Sequence, residues 1–165
     1  DLHLSIRRQR QMCIETVITK YKNAFAAIPL LVSFIPMLMD TGGNCGSQSS
    51  TLIIRGIALG EIRFSDLFRV MFKEFRVSLI VGVVLALANG LRILIMYRNA
   101  GLALVIGLSL VATVIISKLI GCLLPLFAKK LHMDPAIMAS PLITTLVDTC
   151  SILIYFNIAT RIFQL

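Results

Sequence analysis

The chain has 165 residues, 58% of them apolar and only 15% charged. A soluble domain of this size is about 45–50% apolar and about 25% charged and could not hide so much apolar surface, which excludes a soluble class in favour of a membrane one. The net charge of +8 would suggest nucleic acid in a soluble protein, but here the basic residues flank apolar runs, as topology determinants and phospholipid contacts do, and nucleic acid is excluded as a partner.

Residues 1–22 form a basic N-terminal segment, with Arg7, Arg8 and Arg10 ahead of "MCIETVIT" (Met12–Thr19). No clean apolar run follows the basic residues, so no signal peptide is read there. Met12–Thr19 is too short to cross a bilayer and carries Glu15. The segment is either a truncated first span or a helix built partly of polar residues. Residues 23–165 are read as one transmembrane domain.

That domain opens with Asn23–Met39, the glycine-rich "DTGGNCGSQSS" (Asp40–Ser50) and Thr51–Gly60. Neither apolar piece is long enough alone, so the two are expected to make one interrupted crossing. Gly42, Gly43 and Gly46 are expected to break its helix, with Pro29 and Pro36 disturbing the approach. Such a break survives at membrane depth only where protein buries it or it lines a cavity.

Glu61–Arg76 is basic, with Phe64, Leu67, Phe68, Met71 and Phe75 at helical spacing. It is expected to lie on the membrane surface ahead of the next span. Val77–Tyr97, Ala100–Ala128 and Ala136–Thr160 are each long enough, at 1.5 Å per residue, for a core of roughly 30 Å, and lipid forces them to be helical. Met133-Asp134-Pro135 reads as a helix start, Asp134 as cap and Pro135 in the first turn. The basic residues Arg63, Arg69, Lys73 and Arg76, and then Lys129 and Lys130, place the first and third connections in the cytoplasm. The fold class is an all-α integral membrane protein, multi-pass in the cell membrane. Cys13, Cys45, Cys122 and Cys150 are scattered without a CxxC and read as small buried packing residues.

Asp148 is the only charge in Ala136–Thr160. A charge at mid-bilayer costs about 2.5–3.5 kcal/mol on insertion scales, so it should face a bundle interior or a wet pore. Ser140, Thr144, Asp148, Ser151 and Tyr155 fall within about 80° of one helix face, giving a carboxylate in a column of oxygen atoms. Helix–helix hydrogen bonding is the alternative use of the hydroxyls. Oxygen ligands suit a hard cation, and sparse ones suit a hydrated Mg²⁺, which sheds water reluctantly. Zinc or copper would call for His or Cys.

Asp40-Thr41-Gly42 also reads like an aspartic protease triplet. The second Asp-Thr, Asp148-Thr149, is followed by Cys rather than Gly, and no GxGD-type motif occurs. An intramembrane aspartyl protease using Asp40 and Asp148 is therefore the weaker alternative, and a scaffold whose polar residues only join helices is a third. The main reading is a transporter and not an enzyme. A carrier of another divalent cation coupled to Na⁺ or H⁺ is its nearest variant.

"IPMLMDTGGNCGSQSSTLIIRGIALGEI" together with "MDPAIMASPLITTLVDTCSILIYF" resembles the transmembrane domain of the MgtE family of magnesium channels, related to the eukaryotic solute carrier family 41. The shared pattern is a proline-containing helix running into GGN-x-G-x-Q, an R-G-x-A-x-G run, and a last helix that begins DPA and contains TT-x-x-D. It extends from Asn23 to the C-terminus. The resemblance implies a homodimer of five-helix subunits in the lipid bilayer, with the pore at the dimer axis and Mg²⁺ as the transported ion. It implies that Asp148 binds hydrated Mg²⁺ opposite its symmetry mate, with Thr144 contributing one turn earlier. Asp134 then corresponds to an acid at the cytoplasmic pore mouth, and Asn44 lies near the pore. The cytoplasmic N-terminal and CBS domains usual in that family have no match in these residues, and Asp1–Lys22 has no clear match to its first helix.

Overall fold

The computed structural model describes residues 2–20 and 29–164, and the side-chain surroundings at 2–7, 10, 20 and 135–141 are not among those described. Five α-helices follow one another among these residues: α1 (Leu2–Lys20), α2 (Ile35–Ala58), α3 (Leu67–Tyr97), α4 (Ala100–Lys130) and α5 (Pro135–Phe163). Short 3₁₀ helices cover Pro29–Phe34 and Phe64–Asp66, and no strand occurs among the described residues. Three segments among the described residues are long and apolar enough to cross a membrane: Phe64–Tyr97, Ala100–Lys130 and Leu142–Phe163.

Two expectations need correction. The glycine-rich stretch does not break a helix: Ile35–Ala58 is one continuous α-helix, and Pro36 sits in its first turn, where a missing N–H removes no intrahelical bond. The part of the expected first crossing at 23–28 lies outside the described residues. Nor is Glu61–Arg76 a separate surface helix. From Leu67 onward it is the beginning of α3, because its phenylalanines and the apolar run after it share one uninterrupted helical pattern. Phe68 (81% exposed) and Phe72 (65%) project outward beside Ile80, Leu87 and Ile95, as expected for a lipid-facing surface.

The connections are short and follow from local chemistry. At the end of α2, Gly60 takes φ 73°, which a residue without Cβ adopts freely. Glu61 N and Ile62 N then donate to Gly56 O at 2.9 and 3.1 Å, closing the helix end. Between α3 and α4, Asn99 Oδ1 accepts from Leu102 N at 3.1 Å and caps α4. Helix α5 begins at Pro135, as its sequence signal requires.

Helix α4 is the centre of the bundle and packs against α3, α2 and α5, while α1 lies along α5. Leu31, Leu38, Ile93, Leu102, Ile106, Leu110, Ile152 and Phe156 form the main core, and Ile53, Ile57, Cys122 and Leu126 form a smaller one at the other end of α2. Cys45 and Cys122 are buried as expected, Cys150 is half-buried, and Cys13, on the sparsely packed helix α1, is exposed rather than buried.

Candidate cation pathway

The glycines are packing surface. Gly42 and Gly46 stand four residues apart on the face of α2 turned to α4 and α5, in the small-xxx-small pattern that brings membrane helices together. A methyl group at Gly42 would lie 2.8 Å from Val147 Cγ1 and 2.9 Å from Thr113 Cγ2. One at Gly46 would lie 2.9 Å from Ile143 Cγ2 and 3.2 Å from the Ser117 carbonyl. One at Gly121 of α4 would collide with the Gly46 backbone.

Gly43 differs. A methyl there would meet Thr144 Cγ2 at 3.6 Å and Asp148 Oδ1 at 4.0 Å, which is ordinary contact. Gly42→Ala is therefore expected to destabilise the bundle by about 1–3 kcal/mol through overpacking. Gly43→Ala is expected to be neutral or to gain up to about 1 kcal/mol of helix propensity. Thermal unfolding of the two variants in detergent checks the contrast.

The other side of α2 is polar and uncovered. Asp40, Asn44, Gln48, Thr51 and Arg55 are exposed and Ser47 is half-buried. At 100° per residue they lie within about 100° of one another around the helix. Asn44, Ser47, Gln48, Thr51 and Leu52 line an open concavity of about 490 Å³.

Helix α5 brings Asp148 to the edge of this stripe. Asp148 is 1% exposed and Thr144 is half-buried, and both lie against Gly43, which borders the stripe on its buried side. The expected sites Asp148 and Thr144 thus come together. Asn44 is one residue further round α2, on the exposed face, and Asp134 is exposed at the start of α5. The surroundings of Ser140 lie outside the described residues.

Two members of the expected oxygen column serve the fold instead. Tyr155 is fully buried and its hydroxyl donates to the Leu31 carbonyl at 2.9 Å, tying α5 to the 3₁₀ turn before α2. Ser151 Oγ donates to Val147 O at 2.6 Å, the backward bond typical of hydroxyls in apolar helices.

Glu74 and Lys118 were not singled out in the sequence. Lys118 Nζ lies 3.1 Å from Glu74 Oε2, and Ser49 Oγ of α2 donates to the same oxygen at 2.9 Å. The available signal was Lys118 itself, the lone charge inside Ala100–Ala128. Beside this pair, Arg55, Gly56, Glu61, Lys73 and Glu74 border a half-open cavity of about 330 Å³ at the end of α2. Among the described residues no group of three or more His, Cys, Asp or Glu is placed to hold a metal. Asp148 and Thr144 could offer a cation one carboxylate beside a neutral oxygen, a donor set suited to a hydrated ion.

A family model described as a divalent cation transporter, MgtE, matches residues 35–158. Three curated proteins, each called magnesium transporter MgtE, are similar to the chain. That of Bacillus subtilis is 39% identical over 145 residues, 88% of this chain and 32% of the relative. That of Thermus thermophilus is 34% identical over 155 residues, 93% and 34%. That of Enterococcus faecalis is 33% identical over 149 residues, 90% and 33%. The chain spans about a third of the length of these relatives.

Proposed function

Because the chain belongs to the MgtE family of divalent cation transporters, we propose that it forms the membrane pathway through which hydrated Mg²⁺ crosses the bilayer. The observation that carries this reading is the polar stripe Asp40–Asn44–Gln48–Thr51 left uncovered on α2. Lipid tails satisfy no amide or hydroxyl, so such a face must meet water or another polar surface.

A second copy related by a two-fold axis covers it most simply. An isologous contact sets the same stripe twice across the axis, and the two stripes enclose a wet path. Two copies of Asp148 then flank the path beside Gly43. Their mutual repulsion is relieved by a divalent ion. Thr144 and Asn44 supply neutral oxygens to the ion's water shell, and Asp134 and Asp40 stand toward opposite ends of the path. The clusters Arg63, Arg69, Lys73, Arg76 and Lys129, Lys130 put the α2–α3 and α4–α5 connections on the cytoplasmic side.

Membrane potential alone moves a doubly charged ion by about 4.6 kcal/mol per 100 mV, twice the unit-charge value. No coupled ion or nucleotide is needed. The matched relatives are named transporters rather than enzymes, and the protease alternative is set aside.

The test is Mg²⁺ influx into liposomes holding the purified chain, driven by an inside-negative potential. The reading predicts influx that rises with potential. Influx no faster than in empty liposomes contradicts it.

A further inference from the structure

Between Met39 and Ile53 the buried face of α2 consists of Gly42, Gly43, Cys45, Gly46, Ser49 and Ser50. Small residues allow the close approach to α4, but they present no large knob to interlock with it. Fixed register between helices comes from ridges seated in grooves. The large buried residues that seat α2 lie toward its ends, Ile35 and Leu38 at one and Ile53 and Ile57 at the other; between them a directional contact adds to their hold. Register matters on the other side of the same helix. One residue of slip turns Asn44 and Gln48 by about 100°, out of the stripe that faces the proposed path.

A directional contact falls within this stretch. Ser49 Oγ donates to Glu74 Oε2 at 2.9 Å. Lys118 Nζ donates to Ser49 Oγ at 3.2 Å and to Glu74 Oε2 at 3.1 Å. The lysine and glutamate side chains are only 9% and 10% exposed. Three helices thus meet in one closed triangle of hydrogen bonds.

Stability alone is a poor explanation for it. Well-packed apolar residues often replace a buried ion pair without loss, and ionisable groups inside membrane helices are by default functional. The pair is also unsuited to hold Mg²⁺, since the ammonium of Lys118 already neutralises the carboxylate.

We propose that Ser49, Glu74 and Lys118 form a register pin, by which α3 and α4 hold α2 at the rotation that turns Asp40, Asn44, Gln48 and Thr51 into the ion path. The proposal rests on the transport reading for its consequence, but the pin itself is a statement about α2. These are positioning residues and touch no ion.

Cys45 reports the setting. It is buried, one turn before Ser49 on the same face. In a chain with Cys13, Cys122 and Cys150 changed to Ala, Cys45 is the only thiol open to N-ethylmaleimide. Two pin variants are compared with this parent in liposomes: Ser49→Ala, and the apolar pair Glu74→Leu with Lys118→Met. Both remove the directional contact without stranding a charge. Cys45 labelling is expected to quicken, and Mg²⁺ flux to fall, by about tenfold, the effect of one charge-assisted hydrogen bond. The exchanged pair, Glu74→Lys with Lys118→Glu, keeps a hydrogen-bonded pair and is expected to recover most of both readouts. Cys45 labelled at the parent rate in both folded variants overturns the pin, whatever the flux does. A parent chain without Mg²⁺ flux counts against the transport reading instead, and the labelling still decides the pin.

Discussion

Replacing Gly121 by alanine is expected to destabilise the bundle by about 3 kcal/mol, the upper end of the overpacking range; valine there is expected to prevent assembly. The reason is what the new Cβ meets. At most buried positions it would press on a side chain that can turn aside. At Gly121 it meets the Gly46 carbonyl oxygen and the carbon atoms beside it. Backbone inside a continuous helix moves only if the whole of α2 moves. Separating α2 from α4 would also disturb the close contacts of Gly42 and Gly46 with α5. Gly90 in α3 is the control. A methyl there finds nothing nearer than the Ala103 carbonyl at 4.0 Å, so Gly90→Ala is expected to gain up to about 1 kcal/mol of helix propensity. Thermal unfolding in one detergent reads both.

The second large effect is on transport. Asp148→Asn keeps the volume of the side chain and is expected to keep the fold, since volume-conserving changes in a core are tolerated best. It removes the charge that the proposed path offers a divalent ion. At about 5 Å, through one layer of water and an effective dielectric near 20, a carboxylate and a 2+ ion attract by about 7 kcal/mol. If about two-fifths of that survives screening, Mg²⁺ flux falls by about 100-fold, or about 2.7 kcal/mol. Thr144→Val, which takes away only a neutral oxygen, is expected to cost far less.

The sequence made some of this structure readable and concealed the rest for physical reasons. Asp148 stood out because one acid in an apolar run has few ways to exist in a membrane. The helix start at Asp134-Pro135 was legible because its signal is local. The glycine-rich stretch was misread as a break. Glycine weakens a helix by about 1 kcal/mol in isolation, yet in a bundle its missing side chain lets α4 and α5 approach. Which of these wins depends on partners about 70 and 100 residues away in the chain, such as Gly121 and Val147, and no local pattern reveals them. Tyr155 fell in the right column but bonds Leu31, a pairing across the bundle that periodicity cannot show. The pin of Ser49, Glu74 and Lys118 joins three helices. Lys118 signalled it only by being a lone charge in a long apolar run.

In the proposed pathway hydrated Mg²⁺ crosses the membrane past Asp148. This is tested most directly by measuring Mg²⁺ influx into liposomes at a fixed inside-negative potential, for the native chain and for Asp148→Asn, at equal amounts of protein with the same unfolding temperature. Influx through the native chain and a drop toward the empty-liposome rate in the variant are expected. Native influx matched by an equally folded Asp148→Asn chain would contradict it.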